Sequence, residues 1–208
     1  MTRVKICGIT DLADAILSVK LGADALGFNF YAKSPRYVSP ELAKSIVNNL
    51  PADVVRIGVF VNVVAMRIKE LVDLVGLHAV QLHGDENEHY VDELRGKTDA
   101  KIIKAFRVSP NFRAERVRDF KVDGVLLDAF SANKYGGTGD SFEWAKTLEV
   151  KKFCSELYLA GGLTPDNVAE AVGVVRPYSV DVASGVESAN GRKDPAKLMA
   201  FINNAKKA

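Results

Sequence analysis

Short apolar runs alternate along the chain with longer stretches whose apolar residues recur at helical spacing. Eight runs read as strands: Val4–Ile9, Ala25–Phe30, Val54–Phe60, Ala79–His83, Lys101–Phe106, Gly124–Ala129, Leu157–Gly161 and Ser179–Ala183. They recur every ~20–30 residues, the size of one βαβ unit. Gly124-Val125-Leu126-Leu127 is apolar almost throughout, as strands buried on both faces of a parallel sheet are. Between the strands, Ala13, Ile16 and Leu17 with Lys20-Leu21 make one helical stripe, and Ile68, Leu71, Val72 and Val75 make another.

Local punctuation supports the helices. Ser39-Pro40, Ser109-Pro110, Thr164-Pro165 and Asp194-Pro195 each place an oxygen-bearing capping residue before a proline suited to the first helical turn. Asp85 with Glu88 has the spacing of a capping box. Gly22, Gly76, Gly96 and Gly173 follow amphipathic runs, where glycine closes helices. The weakest helix falls around Asn111–Phe120, short and rich in Arg. Eight β/α repeats predict a closed (β/α)8 barrel, a single domain over residues 1–208. An open doubly wound sheet is the competing architecture, but no Gly-x-Gly-x-x-Gly follows the first strand.

Composition narrows the function. Lys and Arg number 28 against 26 Asp and Glu, so no basic excess points to nucleic acid. A weakly positive body still suits a small anionic ligand. Cys7 and Cys154 are too few for a disulfide framework. The first residues carry no signal-peptide core and no apolar run reaches membrane-span length, so a soluble cytoplasmic protein, monomer or homodimer, is expected.

In a barrel, chemistry gathers at the C-terminal strand ends. Cys7 closes the first strand, where a thiol is either a small packed hydrophobe or a base. Asp128 ends the sixth. It is either a helix-capping carboxylate or, if partly desolvated, a general acid. Arg36 follows Pro35 in the second loop, with a planar fork suited to a carboxylate. His83 ends strand four as a ligand-orienting group or a satisfied strand-end histidine. Lys5 and Asp181 alternate against Ile6 and Val182, so either could face the barrel interior and need a partner there. Gly161-Gly162 and Ser184-Gly185 offer free amides where barrels often hold phosphate; a tight turn is the other reading of Gly-Gly. No His, Cys, Asp and Glu spacing suggests a metal.

Six segments in register resemble the phosphoribosylanthranilate isomerase family of tryptophan biosynthesis. They are Lys5-Ile6-Cys7-Gly8-Ile9-Thr10, Ser34-Pro35-Arg36-Tyr37-Val38-Ser39-Pro40-Glu41, Val80-Gln81-Leu82-His83-Gly84, Gly136-Gly137-Thr138-Gly139, Ala160-Gly161-Gly162-Leu163 and Asp181-Val182-Ala183-Ser184-Gly185-Val186-Glu187. The resemblance implies an aldose–ketose isomerase acting on a small anionic phosphosugar, with neither metal nor organic cofactor. It implies Cys7 as general base, Asp128 as general acid, Arg36 on the anthranilate carboxylate, and Gly161, Gly162, Ser184 and Gly185 at the phosphate. Another sugar-phosphate isomerase or epimerase on the same barrel would share the phosphate loops. A lyase similar to indole-glycerol-phosphate synthase would need a catalytic Lys at a strand end, whereas Lys5 and Lys104 lie within strands. A non-catalytic phosphate-binding barrel is the remaining class, against which Cys7 and Asp128 argue.

Overall fold

The computed structural model describes residues 1–109, 111–128 and 146–208. Eight strands form a closed parallel barrel: β1 (Arg3–Cys7), β2 (Ala25–Asn29), β3 (Val55–Phe60), β4 (Ala79–Leu82), β5 (Lys101–Arg107), β6 (Gly124–Asp128), β7 (Leu157–Ala160) and β8 (Ser179–Val182). Each pairs with the next, and β8 returns to β1 with Asp181 opposite Lys5, which rules out the open sheet. Outside run α1 (Leu12–Lys20), α2 (Pro40–Val47), α3 (Ala65–Val75), α4 (Glu88–Arg95), α5 (described over 146–150), α6 (Val168–Val175) and α7 (Pro195–Lys207). The weak fifth helix is a 3₁₀ turn, Ala114–Asp119. Among the described residues, no helix is long and apolar enough to cross a membrane.

Several strands stop short of their apolar runs. Ile9 and Phe30 lie past the ladder yet are buried, because the loops over the strand ends need apolar anchors too. Strand β5 is longer than expected because Arg107 pairs with Asp128. The expected sixth strand reaches Ala129, which lies outside the described residues, as do Gly136-Gly137-Thr138-Gly139 and Pro110.

Two predicted caps hold: Ser39 accepts from the Leu42 amide, and Asp194 accepts from the amides of Ala196 and Lys197, each before a proline. Gly76 closes α3 in the left-handed region, and Gly22 takes a positive φ just past α1. Others need correction. Asn87, not Asp85, caps α4, while Asp85 accepts from Asn62 Nδ2. Thr164-Pro165 opens a turn, and α6 begins only after Asn167. Gly96 caps α4 in a right-handed conformation. Gly173 sits inside α6, and Arg176 takes the left-handed closing position at φ 47°. A hairpin of β9 (Glu187–Ala189) and β10 (Arg192–Lys193) was not expected. Its signal is Asn190-Gly191, a strong hairpin dipeptide.

Strand alternation splits the core in two. Outward residues such as Ile6, Leu26, Phe28, Leu82, Leu127 and Val180 pack under the helices in one large cluster. Inward Ala25, Ile57, Ala79, Ile103, Leu126 and Tyr158 form a smaller plug within the barrel. The same parity turns Lys5, Cys7, Gln81, Asp128 and Asp181 inward, above that plug. Each buried aliphatic or aromatic side chain contributes about 1.5–3 kcal/mol, so the two clusters supply the main drive to fold.

The loops at the strand ends are held by a buried ion pair. Lys104 Nζ donates to Glu86 Oε2 (2.8 Å) and to the carbonyls of Gly84 (2.7 Å) and Leu82 (3.4 Å). Glu86 in turn accepts from the amides of Asn62 (2.7 Å) and Gly84 (2.9 Å), tying the loop after β3 to the loop after β4. Removing one partner leaves a buried charge, so Lys104→Met should cost about 3–5 kcal/mol in urea unfolding. The double variant Lys104→Met/Glu86→Gln should recover part of that loss. Equal stabilities for wild type and Lys104→Met would show that the pair does not hold the loops.

Candidate active site

One cleft of about 590 Å³ opens at the C-terminal ends of the strands. Most residues singled out from the sequence line it: Cys7, Arg36, His83, Asp128, Gly161, Gly162, Asp181, Ser184 and Gly185. They arrive from six places around the barrel, and inward parity explains why. Cys7 and Asp128 extend the inward set of their strands to the last position, and His83 extends that of β4 one residue past its end.

Below the cleft lies a buried polar layer. Lys5 Nζ, fully enclosed, donates to Asp181 Oδ2 (3.0 Å) and Gln81 Oε1 (2.8 Å). Lys5 and Asp181 are thus each other's partner inside the barrel. Burial disfavours the ammonium, but Asp181 and Cys7 outweigh it and hold the Lys5 pKa above its usual value. The Cys7 thiol touches the same ammonium. Burial pushes its pKa up, against the pull of Lys5 and Lys193. Asp181 Oδ1 is buried with no hydrogen-bond partner among the described residues.

His83 stands above this layer. Its Nδ1 lies 2.8 Å from Gln81 Nε2, and its Nε2 lies 3.6 Å from Asp128 Oδ2. The Asp128 side chain remains 29% exposed, so its desolvation is only partial.

Arg36 already holds a partner within the protein. Its Nε and Nη2 bind Glu187 Oε1 (2.8 Å) and Oε2 (2.7 Å), so a protein carboxylate takes the fork. Nη1 has no hydrogen-bond partner among the described residues. Lys193 Nζ, on β10, completes the group by donating to Glu187 Oε1 (2.9 Å) and to the carbonyls of Cys7 (2.7 Å) and Ala183 (3.2 Å). The loop carrying Arg36 is set by Asn29 and Ser34: Asn29 Nδ2 donates to Ser34 Oγ (3.1 Å), and Ser34 Oγ accepts from the Arg36 amide (3.1 Å).

The glycine loops are shaped by the backbone. Gly161 and Gly162 both take positive φ, at 88° and 66°, and a Cβ on Gly162 would meet nothing within 4 Å. Gly185 is different: a Cβ there would lie 1.9 Å from the Leu163 carbonyl oxygen. Only glycine lets the loops after β7 and β8 approach so closely. Both loops line the cleft, where glycine amides suit an anion.

Gln81, Glu187, Lys193 and Arg107 were not singled out from the sequence as site residues. Gln81 was detectable as a polar residue of inward parity in an apolar run, two before His83. Arg107 shares that parity beyond Ile103 and Ala105. Lys193 needed the Asn190-Gly191 turn to be read as a hairpin that brings it back over β1. Among the described residues, no group of three His, Cys, Asp or Glu side chains could hold a metal ion.

Comparison with known proteins agrees over the whole chain. Residues 4–204 match the family model described as N-(5′-phosphoribosyl)anthranilate (PRA) isomerase. The N-(5′-phosphoribosyl)anthranilate isomerase of Trichlorobacter lovleyi is 50% identical over 208 residues, covering 100% of both chains. The crystal structure of phosphoribosyl anthranilate isomerase from Thermotoga maritima superposes with a TM-score of 0.89 at 46% identity, covering 100% of both. Another, in complex with reduced 1-(o-carboxyphenylamino)-1-deoxyribulose 5-phosphate, gives a TM-score of 0.87 at 44% identity, again covering 100% of both.

The Arg36–Glu187–Lys193 group carries a pH signature. Burial opposes ionisation of Glu187, but the hydrogen bonds and charges of Arg36 and Lys193 hold its pKa below the usual value. Such a group stabilises the fold above its unfolded pKa of about 4.3, and that contribution disappears as pH falls through the lower folded value. Glu187→Gln should therefore lose roughly 3 kcal/mol at pH 7. Its deficit should shrink steadily below about pH 4.3 as the wild-type carboxyl is itself protonated. A deficit that stays constant between neutral and acid pH in denaturant titrations would contradict this assignment.

Proposed function

Because the chain belongs to the N-(5′-phosphoribosyl)anthranilate isomerase family, we propose that its cleft performs the Amadori rearrangement of that reaction with Cys7 as general base and Asp128 as general acid. The protein is an isomerase of tryptophan biosynthesis. The observation that carries the finer reading is the convergence of a thiol, a carboxyl, an arginine and two glycine-rich loops on one cleft.

The substrate is a ribofuranose 5-phosphate N-linked to anthranilate. Asp128 gives its proton to the ring oxygen, the C1–O bond breaks, and the nitrogen lone pair forms a protonated Schiff base. Cys7 as thiolate then takes the proton from C2, and the C–H electrons form the enolamine. That intermediate tautomerises to the ketone, 1-(2-carboxyphenylamino)-1-deoxyribulose 5-phosphate. One proton leaves Asp128 and one reaches Cys7, so the atoms balance and solvent exchange resets the pair. Each proton transfer contributes about 10²–10⁴-fold.

Binding follows from charge. The amides of Gly161, Gly162 and Gly185 with the Ser184 hydroxyl take the phosphate. Arg36, pinned by Glu187, offers its remaining nitrogen to the anthranilate carboxylate. Asp181 Oδ1, buried beside the cleft without a partner among the described residues, is an acceptor for a sugar hydroxyl. The direct test is loss of phosphoribosylanthranilate fluorescence on adding the protein; no loss would refute the reading.

Two sets of variants probe the roles. Cys7→Ala should lower kcat by about 10³-fold or more, and Asp128→Asn by about 10²–10⁴-fold with substrate affinity kept. Cys154 packs outside the barrel and bonds the Val150 carbonyl (3.6 Å), so Cys154→Ala should turn over normally. Burial keeps Cys7 mostly protonated at neutral pH, and more thiolate forms as pH rises. In Asp128→Asn, which has no carboxyl to titrate, kcat/KM should therefore climb about tenfold per pH unit through the neutral range. A flat profile in that variant would remove Cys7 as the base. Arg36→Met should act mainly on KM, because its contact exists in ground and transition states alike. A purely kcat effect would place the anthranilate carboxylate elsewhere.

A further inference from the structure

A chain of polar groups, hydrogen-bonded as far as His83, crosses the barrel from beside Cys7 toward Asp128. It runs from Lys5 Nζ to Gln81 Oε1 (2.8 Å), from Gln81 Nε2 to His83 Nδ1 (2.8 Å), and from His83 Nε2 to Asp128 Oδ2 (3.6 Å). Its direction follows from chemistry alone. An ammonium only donates, so the Gln81 oxygen must face Lys5. The amide nitrogen of Gln81 is then turned to His83, and an amide NH2 also only donates. Nδ1 of His83 must present its lone pair, and the single ring proton of the imidazole sits on Nε2, facing the Asp128 carboxyl. No freedom of amide or ring assignment remains once Lys5 is charged, and Asp181 at 3.0 Å keeps it so against the cost of burial.

We infer that Gln81, oriented by Lys5, is a positioning residue that holds His83 as its Nε2–H tautomer so that the ring steadies Asp128 as it gives up its proton. The inference rests on the reading of Asp128 as the acid. When Asp128 transfers its proton to the ring oxygen, a carboxylate forms 3.6 Å from His83 Nε2. A modest closing of the 3.6 Å gap makes that a charge-assisted hydrogen bond, stronger in the transition state than at rest. His83 with the opposite tautomer would set a lone pair against the new charge. Lys5 also lies against the Cys7 thiol, so the same ammonium that favours the base fixes the donor beside the acid.

The test reads the tautomer directly in the free, full-length protein. The chain has three histidines, so long-range proton–nitrogen spectra resolve His83, assigned by its loss in His83→Gln. At pH 8 the wild type should show a bare Nδ1 and a protonated Nε2. A protonated Nδ1, alone or with Nε2, overturns the inference whatever the kinetics of any variant. Gln81→Glu places an acceptor against Nδ1 and should switch the ring to Nδ1–H. Its kcat should fall about 10–100-fold, as when an outer partner of a working histidine is lost, with KM within about twofold of wild type. A switched ring with unchanged kcat also overturns it. Gln81→Met, similar in length and without a donor, should populate both tautomers and fall between the two in rate; a ring still wholly Nε2–H would show that Gln81 does not set it. Failure of the acid assignment has a separate sign: Asp128→Asn would keep wild-type kcat while the wild-type spectrum remained as expected.

Discussion

A single ammonium buried inside the barrel constrains everything above it. Taking Lys5 out of water costs several kcal/mol unless partners surround it. Asp181, its neighbour across the β8–β1 closure, and Gln81, reached across the barrel, meet that need. The requirement binds the last strand to the first, fixes the orientation of an amide on β4, and sets a positive charge against the Cys7 thiol. Lys5 also needs room. On β2, opposite Cys7, Gly27 leaves that room: a Cβ there would lie 3.2 Å from Lys5 Cε and 2.8 Å from Cys7 Sγ.

A second charged group does for the rim what Lys5 does for the floor. Lys193 on the β9–β10 hairpin holds Glu187 and the backbone carbonyls at the ends of β1 and β8, and Glu187 holds Arg36. An arginine on a loop has rotamer freedom to lose when it binds. A bidentate partner removes most of that freedom before any ligand arrives, which lowers the entropic cost of using its remaining nitrogen. The two groups divide the labour: the interior layer tunes proton-carrying groups, and the rim orients the groups that meet charge on the substrate.

The apolar plug beneath the cleft completes this arrangement. Ala25, Ile57, Ala79, Ile103, Leu126 and Tyr158 fill the lower barrel. The polar layer therefore sits between an apolar floor and an open mouth. Charges in such a place interact more strongly than they would in water, yet the reacting groups remain reachable.

Much of this was legible in the chain alone, because strands and helices announce themselves through local periodicity. Eight apolar runs at regular intervals pointed to the barrel, and period-two parity made Lys5 and Asp181 candidates for its interior; the β8–β1 pairing decided both. Caps such as Ser39 and Asp194 were readable because their hydrogen bonds reach only two or three residues ahead. Glycine was less reliable. Gly173 looks like a helix end, but tertiary packing carries α6 on to Val175. What the sequence could not decide were the long-range partners. Arg36 meets Glu187 and Lys5 meets Gln81 because barrel closure brings distant segments within hydrogen-bonding distance, and local spacing encodes no such distance. The direction of the Lys5–Gln81–His83 chain belongs to the tertiary structure for the same reason: it exists only where an obligate donor on β1 faces an amide on β4.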